Sequence, residues 1–320
     1  MIGEFDLIER WFRRPSGCGS GVRLGVGDDC ALLEPPPGKL IAVTVDTLVA
    51  GQHFLLDTEP ADVGWKALAV NLSDLAAMAA KPAWATLSLT LPKATEAWLE
   101  GFSSGFWSLA ESYDLSLVGG DVTRGPLVIS IELMGLVSER AALRRSGARV
   151  GDRILITGTL GDAAAGLAIL KGELKAEPAA ADWLVGRHLR PAPRVSAGLA
   201  LGAVASAAID VSDGLAQDLG HVLRSSGVGA QLHHDRVPVS DALIQTVGRQ
   251  PARRLALTGG DDYELCFCCA PERLSRVNRA LARLGIAVTE VGAIEAAPGL
   301  RVVDATGRVW SESAAGYSHF

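Results

Sequence analysis

The chain has 320 residues, more than the ~100–200 residues of a usual single domain, so two globular domains are expected. Hydrophobic residues make up 48% and charged residues 21%, which is typical of an α/β enzyme and not of a disordered or fibrous chain. The net charge of −6 and the lack of a basic stripe exclude a general nucleic-acid binder. No apolar run approaches the roughly 20 residues of a membrane span, and the first residues lack an apolar signal segment, so we expect a cytoplasmic protein without a membrane partner.

The first half of the chain predicts strands and helices in alternation. Apolar residues at helical spacing predict a short amphipathic helix over 4–14. The stretch 138–152 loses hydrophobic periodicity and carries several charges, which is typical of a linker. Between them the pattern predicts strands at 40–46, 84–91, 115–118 and 127–137, and helices at 60–80 and 95–113.

The second half predicts another mixed unit. It opens with a strand at 153–158, a Gly-containing turn and a helix over 161–170. Another helix is predicted near 194–206, and strands at 207–211, 229–233, 264–269, 286–293 and 300–304. We therefore predict an α/β (α+β) protein of two domains, 1–138 and 139–320.

Three of the five cysteines form a cluster within an apolar run. Cys266, Cys268 and Cys269 lie in a segment that reads as a buried strand, which favours reduced structural thiols. A zinc site is the alternative, but no second ligand pair has suitable spacing.

The most informative feature is a set of short motifs that place aspartates where a strand or helix meets a loop. Magnesium prefers hard oxygen ligands, and neighbouring glycines let backbone amides approach phosphate oxygens. Asp beside Gly is also ordinary turn and helix-cap chemistry, which is the simpler explanation for any one motif taken alone. The motifs are Gly27-Asp28-Asp29, Asp46-Thr47, Asn71-Leu72-Ser73-Asp74, Gly119-Gly120-Asp121, Asp210-Val211-Ser212-Asp213-Gly214 and Gly259-Gly260-Asp261-Asp262.

Asp74 is the least easily explained as turn chemistry. It lies within a predicted helix of Ala, Leu and Val, where an unpaired buried carboxylate would be costly, so it should face solvent or a metal. Asn71 is three residues earlier and therefore lies on the same helix face.

Several common catalytic motifs are missing from the sequence. There is no GxxxxGK[ST] phosphate loop, no protein-kinase motif set, no GxSxG and no HExxH. The turn Gly158–Gly161 fits a phosphate-binding turn and a plain helix start equally well, because no complete GxGxxG follows.

Eight motifs, in order, are similar to those of the thiamine-monophosphate kinase family, which shares a superfamily with aminoimidazole ribonucleotide synthetase and selenophosphate synthetase. The resemblance runs from Gly3 to Phe320 and implies a kinase that phosphorylates thiamine monophosphate (TMP) with ATP and several Mg²⁺ ions. The motifs are GDDCALL, VDTLVAGQHF, KALAVNLSDLAAMAAKPAW, LVGGDVTRGP, RRSGARVGD, HLRPAPR, AIDVSDGL and GGDDYEL.

The resemblance also implies an architecture. The N-terminal domain, 1–138, would bind ATP and metal through a mixed sheet that pairs with a second copy into a shared β-barrel. The C-terminal domain, 139–320, would be an α/β sandwich that completes the active site. A homodimer is therefore expected.

Site residues follow from the resemblance, motif by motif. Asp121 and Arg145 are assigned to catalysis. Val45 stands where a hydroxyl residue is common in the family, so any metal contact there must use its backbone carbonyl. Asp28 is the alternative to Asp29. The metal set is Asp29, Thr44, Val45, Asp46, Asp74, Asp121, Asp210 and Asp213; the ATP set is Tyr113, Gly120, Asp121, Arg145 and Ser212; the TMP set is His53, Asp261 and Tyr317.

Three of these residues also have a simpler explanation: His53 as a polar loop histidine, Tyr317 as a packing aromatic and Arg145 as a linker charge. Among rival functions, a selenophosphate synthetase would carry a reactive Cys beside a Lys, whereas Cys18 lies in SGCGS. The hydrogenase-maturation relative would end in Cys. A non-catalytic nucleotide or cation sensor is the rival from another class.

Overall fold

The computed structural model describes residues 4–13 and 21–310. It divides into two compact units, one of Met1–Leu75 with Ala80–Glu139 and the other of Ala76–Ala79 with Arg140–Phe320. Both units mix helices with strands, so the predicted fold class is confirmed. None of the described helices is long and apolar enough to span a lipid bilayer.

The first unit contains the elements from α1 to β6. A five-residue π-helix, Ile8–Phe12, follows α1, so the helix predicted over 4–14 is only partly α-helical. The elements are α1 (Glu4–Leu7), β1 (Val22–Leu24), β2 (Leu32–Leu33), β3 (Leu40–Val49), α2 (Pro60–Ala77), β4 (Lys81–Leu91), α3 (Glu96–Ser112), β5 (Ser116–Arg124) and β6 (Val128–Val137).

The main sheet of this unit has the strand order β3-β6-β4-β5. The pairs β3–β6 and β6–β4 are antiparallel, whereas β4–β5 is parallel, so the sheet is mixed as predicted. Strands β3 and β5 are its two edges. The predicted pairing of this sheet with a second copy stays a prediction.

Helices α2 and α3 pack closely because glycines line their contact. A Cβ at Gly105 would lie 1.8 Å from the carbonyl oxygen of Ala61, so no other residue fits there without movement of the backbone. Phe102, Phe106 and Leu68 are fully buried, and they form part of the apolar core of this unit.

The second unit contains one six-stranded sheet and seven helices of the described chain. Two short 3₁₀ turns, His234–Arg236 and Pro271–Arg273, complete it. The elements are β7 (Arg153–Thr157), α4 (Asp162–Leu170), α5 (Pro178–Leu189), α6 (Val195–Leu201), β8 (Ala207–Asp210), α7 (Leu215–Ser226), β9 (Gly229–His233), α8 (Asp241–Val247), α9 (Arg249–Thr258), β10 (Leu265–Cys269), α10 (Leu274–Ala282), β11 (Val288–Glu295) and β12 (Gly299–Val303).

The six strands lie in the order β12-β9-β11-β7-β10-β8. Only β12–β9 is a parallel pair, and the other neighbours are antiparallel. Every residue of β10 is buried, which confirms the prediction of a buried strand around Cys266, Cys268 and Cys269. Burial raises the pKa of the Cys266 and Cys268 thiols well above the ordinary value, so both stay protonated at neutral pH.

Candidate functional site

A polar cluster lies between β3 and α2 in the first unit. Alternate residues of β3 point to opposite faces, and Thr44 and Asp46 share the face toward α2. The backbone N–H of Asp46 donates to Asn71 Oδ1 at 3.1 Å, and the Thr44 hydroxyl donates to the Asp74 carboxylate. Asn71 and Asp74 therefore do share one helix face, and Asp74 faces a polar group in its apolar helix.

Two acids of this cluster, Asp46 and Asp74, repel each other. Partial burial, and secondly the negative charge of Asp74, raise the pKa of Asp46 from its ordinary 3.8 to about 7. Two carboxylates that repel each other beside a hydroxyl oxygen form a donor set of hard oxygens, which is the set that Mg²⁺ prefers. A bound cation would remove the repulsion.

The other edge of the sheet carries Asp121, which is not brought to this cluster. Asp121 lies opposite Ser88, Ser88 opposite Ser130, and Ser130 opposite Thr47, so all four share one face of the sheet. That face is the one away from Asp46. Within the described part of the chain, no three His, Cys, Asp or Glu side chains form a group that could hold a metal.

Three further residues of the first unit have defined local geometry. Gly120 has φ +151°, and a Cβ there would lie 1.9 Å from the Leu87 carbonyl oxygen, so the position requires glycine. Tyr113 is the C-terminal cap of α3, with its N–H donating to Ala110 O. His53 Nδ1 accepts from the Val49 N–H at 3.0 Å, which fixes the ring at the turn after β3.

Two predicted metal residues are exposed. Asp29 is exposed, and its N–H donates to Asp28 Oδ1 at 2.8 Å, so the two acids form a local turn. The side chain of Val45 is 63% exposed and lies on the sheet face opposite Asp46. Any metal contact at Val45 must therefore use a backbone atom.

In the second unit, one buried carboxylate organises the loop that follows β8. Asp218 Oδ2 accepts the N–H groups of Ser212, Asp213 and Gly214 at 3.1, 3.0 and 3.1 Å. Burial raises the pKa of Asp218 to about 7, although the three donors oppose the shift. Asp210, the last residue of β8, is also buried. The predicted residues Asp210, Ser212 and Asp213 thus lie on one short loop.

The loop that carries Arg145 is fixed by Ser226. The Ser226 hydroxyl donates to Arg145 O at 3.0 Å and accepts from the N–H groups of Gly147 and Ala148 at 3.1 and 3.2 Å. Burial, then the charges of Arg224 and Arg145, lower the pKa of His221, while Asp213 opposes the shift. Arg145 and Asp213 therefore both lie within electrostatic range of this histidine.

Asp261 lies on a strained loop next to Ser212. Its φ of +68° and that of Tyr263, +50°, are rare for side-chain-bearing residues. The Asp261 N–H donates to Ser212 O at 2.8 Å, and the Tyr263 hydroxyl donates to Asp261 Oδ1 at 3.0 Å. His188 Nδ1 lies 3.5 Å from Asp261 Oδ2. The structure therefore brings together a predicted TMP residue and a predicted ATP residue.

A buried ionic network follows directly after Asp261. Glu264 accepts from Thr157 Oγ1 at 2.7 Å, from Arg187 at 2.9 Å and from both ends of the Arg194 guanidinium. Asp262 accepts the N–H groups of Gly161 and Ala163 at the start of α4. These contacts hold the C-terminal side of the strained loop.

Sequence reasoning did not single out Asp218, Ser226, Arg187 or Glu264. A usable signal existed for Asp218, because an acid in the first turn after a Gly-containing loop is typical of a helix N-terminus. Tyr317 and Cys18 lie outside the described residues.

Comparison with known proteins identifies the family that this chain matches. Residues 27–137 match the model of the AIR synthase related protein N-terminal domain, and residues 149–305 match that of the C-terminal domain. The chain is 51% identical over 295 residues to a thiamine-monophosphate kinase of Salmonella typhimurium, covering 92% of this chain and 91% of that one.

Two solved structures are similar along most of the chain. A thiamine-monophosphate kinase from Stenotrophomonas maltophilia aligns with TM-score 0.85 and 48% identity over 91% of this chain and 93% of that one. The structure of AaThiL complexed with AMPPCP and TMP aligns with TM-score 0.79 and 34% identity over 89% of this chain and 88% of that one.

Proposed function

The chain belongs to the thiamine-monophosphate kinase family, and we propose that it transfers the γ-phosphoryl group of ATP to TMP, giving thiamine diphosphate and ADP. The observation that carries the proposal is the high identity to the Salmonella typhimurium enzyme along nearly the whole length of both chains. The similarity to AaThiL, solved with AMPPCP and TMP, supports the two substrates. The cytoplasm is the proposed location, because ATP is supplied there.

The proposed reaction is a direct in-line transfer. A phosphate oxygen of TMP forms a bond to the γ-phosphorus while the bond to the β–γ bridging oxygen of ATP breaks, and ADP leaves with that electron pair. The main obstacle is repulsion between two anionic phosphates. Catalysis is therefore positioning and charge neutralisation, the roles proposed for Arg145 and, through metal, for Asp121.

Magnesium is the proposed cofactor, and the residues fit it. The oxygens of Thr44, Asp46 and Asp74 suit a hard cation, and because burial and the charge of Asp74 raise the pKa of Asp46, a bound cation would favour its ionised form. When bound, Mg²⁺ would neutralise phosphate charge. We propose that Asp29, Asp121, Asp210, Asp213 and the Val45 carbonyl provide ligands to further Mg²⁺ ions.

A homodimer is part of the proposal. Ile41, Val43 and Val45 alternate along the edge strand β3 with 41%, 59% and 63% exposure, and a row of exposed apolar side chains on an edge strand is typical of an interface. Asp121 shares that sheet face, so pairing of the faces would place it at the interface. On this proposal residues 1–138 bind ATP and metal and form the dimer.

The remaining proposals concern the second domain and the residues that bind ATP and TMP. Residues 139–320 complete the active site through Arg145, Ser212 and Asp261. We assign Tyr113, Gly120, Arg145 and Ser212 to ATP, and His53, Asp261 and Tyr317 to TMP. The hydrogen bond between Asp261 N–H and Ser212 O supports adjacent sites for the two substrates in this unit.

The test is a coupled assay of ADP formation with ATP, Mg²⁺ and candidate acceptors, with the product identified by chromatography. We expect ADP formation that depends on TMP, with free thiamine largely unphosphorylated. Equal turnover of free thiamine, or none with TMP, would contradict the proposal. Nucleotide binding without any turnover would indicate a sensor instead.

A further inference from the structure

Helix α7 holds two loops of the second unit, one near each of its ends. Asp218, in its first turn, binds the backbone of residues 212–214, and Ser226, its last residue, binds the backbone of residues 145–148. The two side chains are eight residues apart, about 12 Å along a helix. Both loops carry residues that we assign to ATP and its metal.

The contact at Asp218 fixes three consecutive peptide groups. One buried oxygen that accepts three N–H groups leaves little freedom to the backbone of Ser212, Asp213 and Gly214. Gly214 has φ +116°, and a Cβ there would lie 2.9 Å from the Thr258 backbone, so the loop also turns where only glycine fits.

The contact at Ser226 fixes the other loop in the same manner. One hydroxyl satisfies a carbonyl, that of Arg145, and two N–H groups, those of Gly147 and Ala148. The linker at 138–152 has neither helix nor strand that could hold it. Together with the bond that the Ala208 N–H of β8 donates to Arg144 O at 3.1 Å, the Ser226 hydroxyl therefore fixes the backbone at the root of the Arg145 side chain.

The helix itself is held by other contacts. Leu215, Leu219, Val222 and Leu223 belong to the apolar core of this unit and are buried. Burial of four such side chains anchors α7 independently of its polar ends. The two polar side chains are therefore available to set the loops relative to the helix.

We propose that Asp218 and Ser226 are positioning residues for ATP binding, and that α7 sets the spacing between Arg145 and the Ser212–Asp213 loop. This inference rests on the proposed function, because it takes the two loops as the ATP and metal loops. Neither residue touches substrate in the proposal. Each acts through the groups that it holds.

The first experiment removes the Ser226 contact. Ser226→Ala should raise the KM for ATP, and the Kd for Mg²⁺·AMPPCP by calorimetry, about 5- to 10-fold, as expected for loss of about one hydrogen bond's net contribution. The KM for TMP and the melting temperature should change little. Ser226→Thr keeps the hydroxyl and should restore binding, and Ser225→Ala, at the exposed neighbour, is the matched control.

A double-mutant cycle tests whether the effect passes through Arg145. Once Arg145→Ala has removed the side chain that Ser226 positions, adding Ser226→Ala should not weaken AMPPCP binding further. An additional loss of the same size in that background would show that Ser226 acts elsewhere. An equal rise in both KM values would indicate a merely structural role. Either result overturns the inference at this end of α7.

The second experiment addresses Asp218. Asp218→Asn replaces the carboxylate that accepts three N–H groups with a neutral amide, and at pH 8, above the raised pKa of Asp218, we expect the Kd for Mg²⁺·AMPPCP to rise about tenfold or more, measured well below the melting temperature. Unchanged binding in this variant overturns the inference at this end of the helix. If the wild type binds AMPPCP but does not turn over TMP, the proposed function fails, while the binding data still judge the positioning roles.

Discussion

Two groups of acids and two strands, one of each in either unit, have different surroundings. In the first unit, burial and secondly the negative charge of Asp74 raise the pKa of Asp46 to about 7, and strand β3 exposes a row of apolar side chains. In the second, Glu264 is paired with two arginines, and strand β10 is buried at every residue.

This difference separates an acid that stabilises the fold from acids whose surroundings suit a functional site. A buried acid with donors around it, such as Glu264, serves the fold, because its charge is balanced within the unit. An acid that is repelled by a neighbouring acid lowers the stability of the fold, and such repulsion is typical of functional sites. The sequence motifs look alike, but the surroundings of their acids differ.

The largest effect should come from Asp74, the source of the repulsion in the first unit. Asp74→Asn keeps the shape and removes the charge, so we expect kcat to fall by about three orders of magnitude, as for loss of a group that neutralises the reacting phosphates. The melting temperature should be kept or raised. Turnover by the variant at the wild-type rate, at limiting Mg²⁺, would refute its metal role.

The balanced acid of the second unit should instead affect stability. Glu264→Gln removes the charge that Arg187 and Arg194 share, and breaking these buried ion pairs should lower the free energy of unfolding by about 3 kcal/mol. Urea denaturation measures this change. Glu290→Gln is the control, because its ion pair with Arg153 is 3.8 Å long and partly exposed, and should cost under ~1 kcal/mol. Equal effects would remove the distinction.

The exposed apolar side chains of β3 form the proposed dimer interface of the first unit. Val43→Lys places a charge at the proposed interface, and we expect the dimer dissociation constant to rise roughly a hundredfold. Leu199→Lys, at an apolar residue of α6 that is 46% exposed, is the matched control and should leave the dimer unchanged. Sedimentation velocity over a concentration series distinguishes them. A wild-type chain that stays monomeric would disprove the homodimer.

Much of the fold could be predicted because apolar runs and alternation are local signals. The strand predicted at 229–233 is β9, and the strand predicted at 40–46 is extended to Val49 in β3. Helices α7 to α10 were not assigned. Leu215, Leu219 and Val222 of α7 have helical spacing, and α10 likewise carries its apolar residues on one face, so both helices had a usable sequence signal.

The site was less predictable because it depends on long-range contacts. Asp46 and Asp74 are 28 residues apart, and only the packing of α2 on β3 brings them together. The face on which Asp121 lies depends on a register shift between Ala85 and Thr86, which spacing alone does not reveal. The motif positions came from the family resemblance, while their partners, such as Asp218, came only from the structure.

The smallest expected effect is the change of stability with Mg²⁺ and pH, which tests the repulsion between Asp46 and Asp74 most directly. In the folded, metal-free chain the pKa of Asp46 is raised from 3.8 to about 7, so the stability associated with its protonated form is present below pH ~4 and lost as the pH rises through about 7. Magnesium requires the ionised carboxylate, so its binding has the opposite dependence and should weaken below pH 7, by up to about tenfold per pH unit for one proton. At ten times its Kd, Mg²⁺ should add about 1.4 kcal/mol to the free energy of unfolding.

Denaturation at pH 8 and pH 6, with Mg²⁺ and with EDTA, measures both trends. Asp46→Asn should reduce the Mg²⁺ response and remove its pH dependence around pH 7, whereas Asp182→Asn, at an exposed acid of α5, should keep both. A response to Mg²⁺ of unchanged size and pH dependence in Asp46→Asn would show that the repulsion between Asp46 and Asp74 has no part in cation binding.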